Sequence, residues 1–442
     1  MSQLPAGWAN AQIGDVCTLN NGRAFKPTEW SSRGLPIVRI QNLNNPAASF
    51  NYFEGEFDQK YHLKGGELVF AWSGTPGTSF GAHVWRNQEA VLNQHIFRVD
   101  FNSNFLDKRF FRHAINQTLD HLIGIAHGGV GLRHVTKGKF EGTSISIPPV
   151  AEQKRIADKL DSVLARVDAC RNRLDRLPAL LKRFRQSILA AATSGRLTED
   201  WRADHDIALF TWKETTLGGA CRKITDGEHI TPQVLNDGIP LISAKDVREW
   251  GVDFSDTKFV SEHFAETSRK RCDPEFKDVL VVSRGATVGR TCLVASDKVF
   301  CLMGSVLLFK PNEATVISEY FAYFLSSPSG LEQLTMASGA TAQQAIYIRD
   351  AKNLPIQLPS TPEQTEIVRR VEILFAFADR LEARLASARR QVGQLTPALL
   401  AKAFRGELVA QDPADEPAAE LLKRLAAQRE AAPKIKRGRA KA

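Results

Sequence analysis

The stretch EQKRIADKLDSVLARVDACRNRLDRLPALLKRFRQSI, residues 152–188, decides the fold. Its apolar side chains recur at alternating spacings of four and three residues, at Ile156, Leu160, Val163, Val167, Cys170, Leu174, Leu177, Leu181, Phe184 and Ile188. A period of 3.5 residues sustained over this length predicts a helix with a coiled-coil seam. At 1.5 Å per residue, the seam would be roughly 50 Å long.

The same pattern returns 211 residues later with the same phase, at Ile367, Val371, Leu374, Ala378, Leu381, Leu385, Ala388, Val392, Leu395 and Leu399. The match runs from the Glu-Gln pairs at 152–153 and 363–364 to Gly195 and Gly406, where helices are expected to end. Thr361-Pro-Glu-Gln364 is typical of a capping box with proline in the first turn. The sequence therefore predicts two long helices of one design.

The segment before each helix is repeated as well. Gly34-Leu-Pro-Ile-Val38 matches Gly238-Ile-Pro-Leu-Ile242 at an offset of 204, and residues 67–74 match 278–285 at an offset of 211. Strand-like runs, Gly-containing turns and short helical patterns near 105–117 and 318–326 predict a mixed α/β (α+β) globule in each copy. We expect two similar domains and a pseudo-two-fold internal repeat.

These patterns divide the chain into five segments. We expect a first globular domain at 1–150, a central helix at 151–198, a second globular domain at 199–361, a C-terminal helix at 362–410 and an Ala-, Glu- and Lys/Arg-rich basic tail at 411–442. Because the second globule joins the end of one helix to the start of the other, the helices should pair antiparallel within one molecule. Pairing between two molecules would use the same seam and remains an alternative.

Composition excludes several classes of protein. The 442 residues are 43% hydrophobic and 24% charged, and no run reaches the roughly 18 apolar residues of a membrane helix. The N-terminus shows no secretory signal pattern. The six cysteines are scattered without a CxxC pair, which favours reduced thiols in a cytoplasmic protein.

The net charge of +9 permits nucleic-acid binding but is unevenly distributed. Residues 1–150 hold 14 basic and 11 acidic groups, whereas residues 195–361 hold 18 basic and 22 acidic groups, a net charge of −4. If both domains bind DNA, either a local positive patch or the positive surface of a partner has to serve the second.

Two similar domains at opposite ends of an antiparallel rod would be related by an approximate two-fold axis. Duplex DNA has such axes, and readers related in this way contact half-sites about one helical turn, ~34 Å, apart. Because the domains differ in most side chains, the expected target is bipartite and asymmetric, with ~3–4 base pairs read on each side of roughly 6–7 unread pairs.

Several motifs at these matched offsets resemble those of type I restriction-modification specificity subunits, over about residues 5–410. They are the doubled layout, the Glu-Gln steps, the helix ends Ser194-Gly-Arg-Leu and Arg405-Gly-Glu-Leu, the loops Ser73-Gly-Thr-Pro-Gly77 and Arg284-Gly-Ala-Thr-Val-Gly289, and Thr225-Asp-Gly-Glu-His-Ile-Thr-Pro232. The first-copy loop continues less regularly than its counterpart, and the extension after Val409 is an interaction helix or a disordered tail.

The resemblance implies two target recognition domains separated by helices that act as a ruler. It also implies that two adenine-N6 methyltransferase subunits dock on the chain, and that an ATP-driven translocase-nuclease subunit joins them in restriction. S-adenosylmethionine, ATP and magnesium would then belong to those partners, with no cofactor in this chain. A related system in which nuclease and methyltransferase are fused is an alternative within the class.

Candidate DNA contacts lie in the loops of both copies. Arg, Lys, Asn and Gln read base edges, while Ser, Thr and backbone amides mostly hold phosphates. The candidates in the first copy are Arg23, Lys26, Ser73, Thr75, Arg133, His134 and Lys137; those in the second are His229, Thr231, Arg284, Thr287, Gln343, Gln344 and Arg349.

The chain's catalytic patterns are weak. Gly77-Thr-Ser-Phe-Gly81 matches a nucleophile elbow, which would need a following helix, but strand-like residues follow Ser79. Asp273-Pro-Glu-Phe-Lys277 has the residue types of a metal nuclease, yet no second acidic strand frames it. No HExxH motif or Asn/Asp-Pro-Pro-aromatic step occurs. We therefore expect a non-catalytic reader of DNA; the alternatives are a coiled-coil scaffold that binds proteins and a hydrolase that uses Ser79.

Overall fold

The computed structural model describes residues 4–45, 48–74, 79–86, 88–125, 133–208, 211–339 and 344–431. The chain divides into two compact units, Met1–Asn172 with Arg389–Ala442, and Arg173–Ala388. Each unit holds one repeated globule and segments of two long helices, α6 (Val150–Thr193) and α13 (Thr361–Phe404).

The first unit is a mixed α/β globule. Its strands are β1 (Ala9–Gln12), β2 (Cys17–Asn21), β3 (Leu35–Val38), β4 (Asn51–Phe53), β5 (His62–Leu63), β6 (Leu68–Ala71), β7 (Ser73–Gly74), β8 (Gly81–Val84), β9 (Ala90–Leu92), β10 (Ile96–Phe101), β11 (Arg133–His134) and β12 (Ser144–Ile147). Its further helices are α1 (Ile13–Val16), α2 (Ile40–Asn44), α3 (Lys108–Gln117), α4 (Leu119–Ile125), α5 (Lys137–Glu141) and the C-terminal α14 (Ala418–Ala431).

The second unit repeats this layout. Its strands are β13 (Lys213–Thr216), β14 (Cys221–Asp226), β15 (Ile239–Ile242), β16 (Val247–Arg248), β17 (Gly251–Val252), β18 (Lys258–Val260), β19 (Val279–Val282), β20 (Thr291–Leu293), β21 (Cys301–Leu302), β22 (Val306–Pro311) and β23 (Pro355–Leu358). Its further helices are α7 (Glu199–Asp204), α8 (Leu217–Ala220), α9 (Glu262–Arg271), α10 (Ser318–Ser326), α11 (Pro328–Ala337) and α12 (Ile348–Lys352).

Sheet order confirms the internal duplication. The sheet β2-β10-β6-β8 of the first unit corresponds to β14-β22-β19-β20 of the second, and all its neighbours are antiparallel. A second sheet in each unit has one parallel pair, β3 with β9 and β15 with β21. The predicted mixed α/β fold with two similar domains is therefore confirmed.

In each unit the segments of α6 and α13 pack together, with the start of one helix near the end of the other. In the first unit Ile156 and Leu160 share a core cluster with Leu399 and Ala403. In the second unit Arg185 of α6 forms ion pairs with Asp379 and Glu382 of α13, while Ile188 packs in one core with Ile367 and Val371. Most predicted seam positions are at least half-buried, but Cys170, Leu177 and Leu395 are exposed.

The Glu-Gln pair at the start of each helix anchors that helix to its own globule. In the first unit the Gln153 side chain accepts from the backbone N–H of Asp107 (2.9 Å) and donates to the Phe105 and Pro148 carbonyls. Gln364 repeats this with Ile317, Thr315 and Pro359. Both glutamines are fully buried, so every polar atom of their amides needs such partners.

The two glutamates also repeat, with one difference. The indole N–H of Trp8 donates to Glu152, and that of Trp212 donates to Glu363. Glu363 additionally accepts from Arg202 at 2.6 Å. The predicted capping box at 361–364 is wrong, because the Gln364 side chain that it requires bonds to Ile317, Thr315 and Pro359, and the Ser360 hydroxyl before the helix accepts the Glu363 backbone N–H instead.

The helix ends are as predicted. Gly195 and Gly406 follow α6 and α13 with φ angles of 78° and 71°, in the left-handed region that glycine tolerates best.

Part of the segment after residue 410 is a helix docked on the first globule. Ala418, Leu421 and Leu425 of α14 are buried in that globule's core cluster, beside Ala11 and Ile13. Arg429 donates to the backbone carbonyls of Gly14 and Cys17. Residues 432–442 lie outside the described residues.

Candidate nucleic-acid interface

Four chain segments meet at the same place in both globules. In the first, Gly22 N donates to Ile96 O, Arg23 N to Leu92 O, Trp72 N to His95 O and Val135 N to Trp72 O. In the second, the same bonds join Gly227 to Val306, Glu228 to Leu302, Ser283 to Ser305 and Ile346 to Ser283. The two globules therefore share one backbone frame, which we call the strand-end surface.

A glycine allows the segments to cross so closely. A Cβ atom at Gly22 would lie 2.0 Å from the Asn93 carbonyl oxygen, and one at Gly227 would lie 2.1 Å from the Leu302 carbonyl oxygen. Backbone atoms cannot yield to such a contact, so both positions require glycine. The loops that leave β2 and β14 are thereby held beside those that leave β6 and β19.

The side chains on this common frame differ. The first globule presents Asn21, Arg23, Trp72, His95 and His134, and the matching positions of the second hold Asp226, Glu228, Ser283, Ser305 and Ala345. Similar frames with different hydrogen-bonding groups would contact different base sequences.

Trp72 is at the centre of the first strand-end surface. Its ring stacks on Phe97, with centroids 5.8 Å apart, and faces His95 and His134. Its indole N–H donates to Asn21 at 3.3 Å, which leaves the amide hydrogens of Asn21 available. Burial lowers the pKa of His95, and nearby His134 lowers it further, so His95 favours its neutral form. Trp72, Asn21 and His95 are not among the contacts predicted from the sequence.

Several predicted contacts in the first globule have partners within the protein. Arg23 is paired with Glu29, and its guanidinium lies over the adjacent rings of Phe25 and Phe53. The Lys137 ammonium donates to the Leu19 carbonyl at 2.9 Å.

The other candidates of the first copy differ in how exposed their side chains are. Lys26 is exposed, whereas Ser73 is buried and pairs through its backbone with His134. Arg133 pairs with Gly74 in the same ladder, and Thr75 lies outside the described residues.

The two candidates in the loop after β19, Arg284 and Thr287, face different surroundings. Arg284 is exposed and forms a bridge with Ala345, beside exposed Gln344 on the strand-end surface. Thr287 instead lines a cleft of about 710 Å³ with residues of α6, α10 and α13.

The remaining second-copy candidates are mostly exposed. His229 contacts Asp226 at 2.8 Å, and Thr231 is exposed two residues later. Arg349 on α12 is exposed and paired with Asp350. Gln343 lies outside the described residues.

The weak catalytic patterns have structural explanations. Ser79 is buried, the described residues after it form strand β8, and the ring of His83 contacts the Ser79 backbone oxygen. Asp273 pairs with Lys223, and Glu275 pairs with Lys310. Within the described ranges no group of three or more His, Cys, Asp or Glu residues could hold a metal ion.

Ser79→Ala is expected to leave DNA affinity and target methylation within about twofold of wild type. The Ser79 hydroxyl is buried, so it contributes neither a base contact nor a nucleophile. Both quantities can be measured on the purified complex. Loss of a hydrolytic activity in this variant would instead revive the hydrolase alternative.

The cysteines give no sign of redox or metal chemistry. All six are free. Burial raises the pKa of Cys17, Cys221, Cys272 and Cys292 to about 12, so these thiols stay protonated and unreactive. Among the helices in the described part of the chain, none is long and apolar enough to cross a membrane.

A duplicated α/β domain with one backbone frame and two sets of side chains defines a recognition protein with two different reading sites. The family model of the type I restriction modification DNA specificity domain matches residues 5–179 and 211–388. The chain therefore belongs to the specificity subunits of type I restriction-modification systems, and its role is DNA recognition, not that of a coiled-coil scaffold.

Comparison with individual proteins supports the same family assignment. The chain is 34% identical to the type I restriction enzyme EcoBI specificity subunit of Escherichia coli, over 96% of this chain and 93% of that protein. It is 30% identical to the EcoKI specificity subunit of Escherichia coli strain K12, over 97% of each. The resemblance predicted from the paired motifs is confirmed.

Solved structures show the same fold. A chain from a structure of a type I restriction-modification system superposes with a TM-score of 0.70 at 20% identity, covering 92% of this chain and all of that one. The HsdS subunit of Thermoanaerobacter tengcongensis superposes with a TM-score of 0.55 at 19% identity, covering 92% of this chain and 98% of that one.

Proposed function

We propose that this chain reads a bipartite, asymmetric DNA target, one half-site with each strand-end surface, and positions partner subunits over it. The observation that supports this most directly is the pair of matched backbone frames with unlike side chains. A homodimer of one reader would contact two identical half-sites, whereas these two surfaces differ at every matched position described above. The unread spacer lies between the half-sites.

In this proposal, methylation and DNA cleavage are catalysed by the partner subunits. Two adenine-N6 methyltransferase subunits bind S-adenosylmethionine and modify one adenine in each half-site, and a translocase-nuclease subunit uses ATP and magnesium in restriction. This chain contributes binding energy and position. Because the methyltransferase must flip its adenine, a bend in the bound duplex would lower the cost of unstacking. The assembly acts in the cytoplasm, where chromosomal DNA and these cofactors are available.

The DNA contacts of the proposal are polar groups of the two surfaces that are exposed or, in the case of His134, partly exposed. Asn21 and His134 serve the first half-site, and Arg284 and Gln344 serve the second, because arginine suits guanine while asparagine and glutamine suit adenine. Lys26 and Thr231 are placed in the neighbouring loops, where phosphate contacts are expected.

DNA affinity should depend steeply on salt. If about six phosphates are engaged, the affinity of the complex with its methyltransferase subunit should fall on the order of 10³-fold between roughly 50 and 200 mM salt. Fluorescence anisotropy with duplexes that contain or lack the target measures this directly. An affinity that is flat across this range would contradict DNA binding by this chain and favour a protein-binding scaffold.

A further inference from the structure

The second globule must bind DNA despite an excess of acidic residues. Residues 195–361 carry 18 basic and 22 acidic groups, so their net field repels phosphate. The repeat offset rises from 204 at Gly34 to 211 at Glu67, and α9 lies within the corresponding interval of the second copy. The first copy has only the three-residue 3-10 helix Gln59–Tyr61 before β5. Helix α9 is therefore a feature of the acidic domain.

The last turn of α9 consists of three cations, Arg269, Lys270 and Arg271. Basic residues at this end favour a helix through its dipole, but Arg271 does not point at the carbonyls of its own helix. Its Nη1 lies 3.1 Å from Asp226 Oδ1, and its Nη2 donates to the Gly227 carbonyl. Arg271 thus ties the end of α9 to the end of β14, at the strand-end surface.

Asp226 connects this arginine to a histidine. Its carboxylate is 13% exposed, and its Oδ2 lies 2.8 Å from Nε2 of His229. One carboxylate between two donors fixes the rotation of the histidine ring, since Nε2 must carry the hydrogen that Asp226 accepts. The side chain of His229 remains 49% exposed, so its outer edge is open to a ligand.

The imidazole ring of His229 packs against the backbone of Gly304. A Cβ atom at this position would lie 2.5 Å from Nδ1 and 2.7 Å from Cε1 of His229. The ring therefore packs against a backbone that has no side chain, and this contact is possible with glycine alone.

Two further groups of the same turn are unused within the protein. Within the ranges that the structure describes, Nε of Arg269 is buried without a hydrogen-bond partner. Lys270 is exposed and forms no ion pair with any described residue. Lys270 follows in the same turn as the arginine that orients His229, and an exposed cation together with an oriented histidine is suited to a polyanion with base edges, which is duplex DNA.

We propose that the last turn of α9, through Lys270 and Arg271, forms a further DNA contact of the second domain together with Asp226 and His229, in addition to Arg284 and Gln344. Lys270 contacts a phosphate, and His229 contacts a base edge. Asp226 and Arg271 are positioning residues that orient His229. This inference rests on the proposed function, because it assigns the second half-site to a particular group of residues.

Three variants and one control test the inference in the complex with the methyltransferase subunit. His229→Ala should relax one base-pair position of the second half-site by about tenfold, with the first half-site unchanged. Arg271→Gln should relax the same position, since it acts through His229. Lys270→Gln should leave the methylated motif unchanged. It should reduce the slope of log affinity against log salt concentration by about one, the effect of losing one phosphate contact. Lys213→Gln, an exposed lysine on β13 with the same charge change, should alter neither quantity.

The outcomes separate this inference from the proposed function. If the wild-type complex methylates no bipartite motif, the proposed function fails. If wild type does so and His229→Ala gives an identical motif, the inference alone is wrong. Because His229 is exposed, this variant should fold, and its thermal unfolding midpoint checks that. Relaxation at unrelated positions by Arg271→Gln would contradict the positioning role.

Discussion

Glu363→Ala should lower the free energy of unfolding of the second unit by about 3–5 kcal/mol, the usual cost of breaking a buried ion pair from one side. Glu363 is 1% exposed and accepts hydrogen bonds from Thr198, Arg202 and Trp212. Its removal leaves a buried guanidinium without its counter-charge. Thermal and urea-induced unfolding, followed by tryptophan fluorescence, measures the change.

Glu152 provides a matched comparison in the first unit. It accepts from Trp8, but among the described residues no arginine donates to it as Arg202 donates to Glu363. Burial raises the pKa of Glu152, so a neutral side chain should be accepted at this site. Glu152→Gln is therefore expected to change stability by about 1 kcal/mol or less, a lost single hydrogen bond at most. Equal destabilisation by Glu152→Gln and Glu363→Ala would show that Arg202 does not explain the difference.

The double variant Leu421→Ala/Leu425→Ala should destabilise the first unit by several kcal/mol, since large-to-small changes in a core cost about 2–5 kcal/mol each. Leu421 and Leu425 are 1% and 7% exposed in the contact of α14 with the first globule. The expected result is a lower unfolding midpoint with reduced affinity for DNA, because β2 and its strand-end surface belong to the same unit.

Lys423→Ala is the control for this variant. Its side chain is 72% exposed on the same helix, so stability should change by about 0.5 kcal/mol or less. An unchanged unfolding midpoint in the double leucine variant would show that α14 is dispensable for the first globule.

The docking of α14 explains why three apolar residues of the first copy are replaced by polar residues at the matching positions of the second. Ala9, Ala11 and Val150 of the first globule lie in or against the cluster that includes α14. The matching residues of the second globule are Lys213, Thr215 and Thr361. The apolar face of the first copy therefore needs a cover that the polar face of the second does not. The sequence left open whether this segment is a helix, because only the partner surface identifies its apolar side.

The long-range order of the chain was predictable from periodicity. The seam of α6, its copy in α13, and the glycines after both follow from spacing and from backbone preference, which are local properties of the sequence. The partners of Glu152 and Glu363 were not predictable, since Trp8 and Trp212 are about 150 residues away from them. The capping box failed for a related reason: the Gln364 side chain, which a local rule assigns to the helix end, bonds to the distant backbone of Thr315 and Ile317.

The candidate site was predicted only in part. Arg284, His229 and His134 were chosen from loops, and they lie on or beside the strand-end surfaces. Trp72, Asn21 and Arg271 were missed because these surfaces form where four separate segments meet. One signal was available: Gly22 and Gly227 follow polar residues at equivalent strand ends, and a close backbone crossing repeated in both copies requires glycine.

The central claim is that this one chain specifies a two-part DNA target with unlike halves. The direct test is to express it with its methyltransferase subunit in a host without adenine methylation and to locate N6-methyladenine by long-read sequencing. We expect a new bipartite, asymmetric motif with an unread spacer, absent when this chain is omitted. A motif that is uninterrupted, or that persists without this chain while the methyltransferase is active, would contradict it.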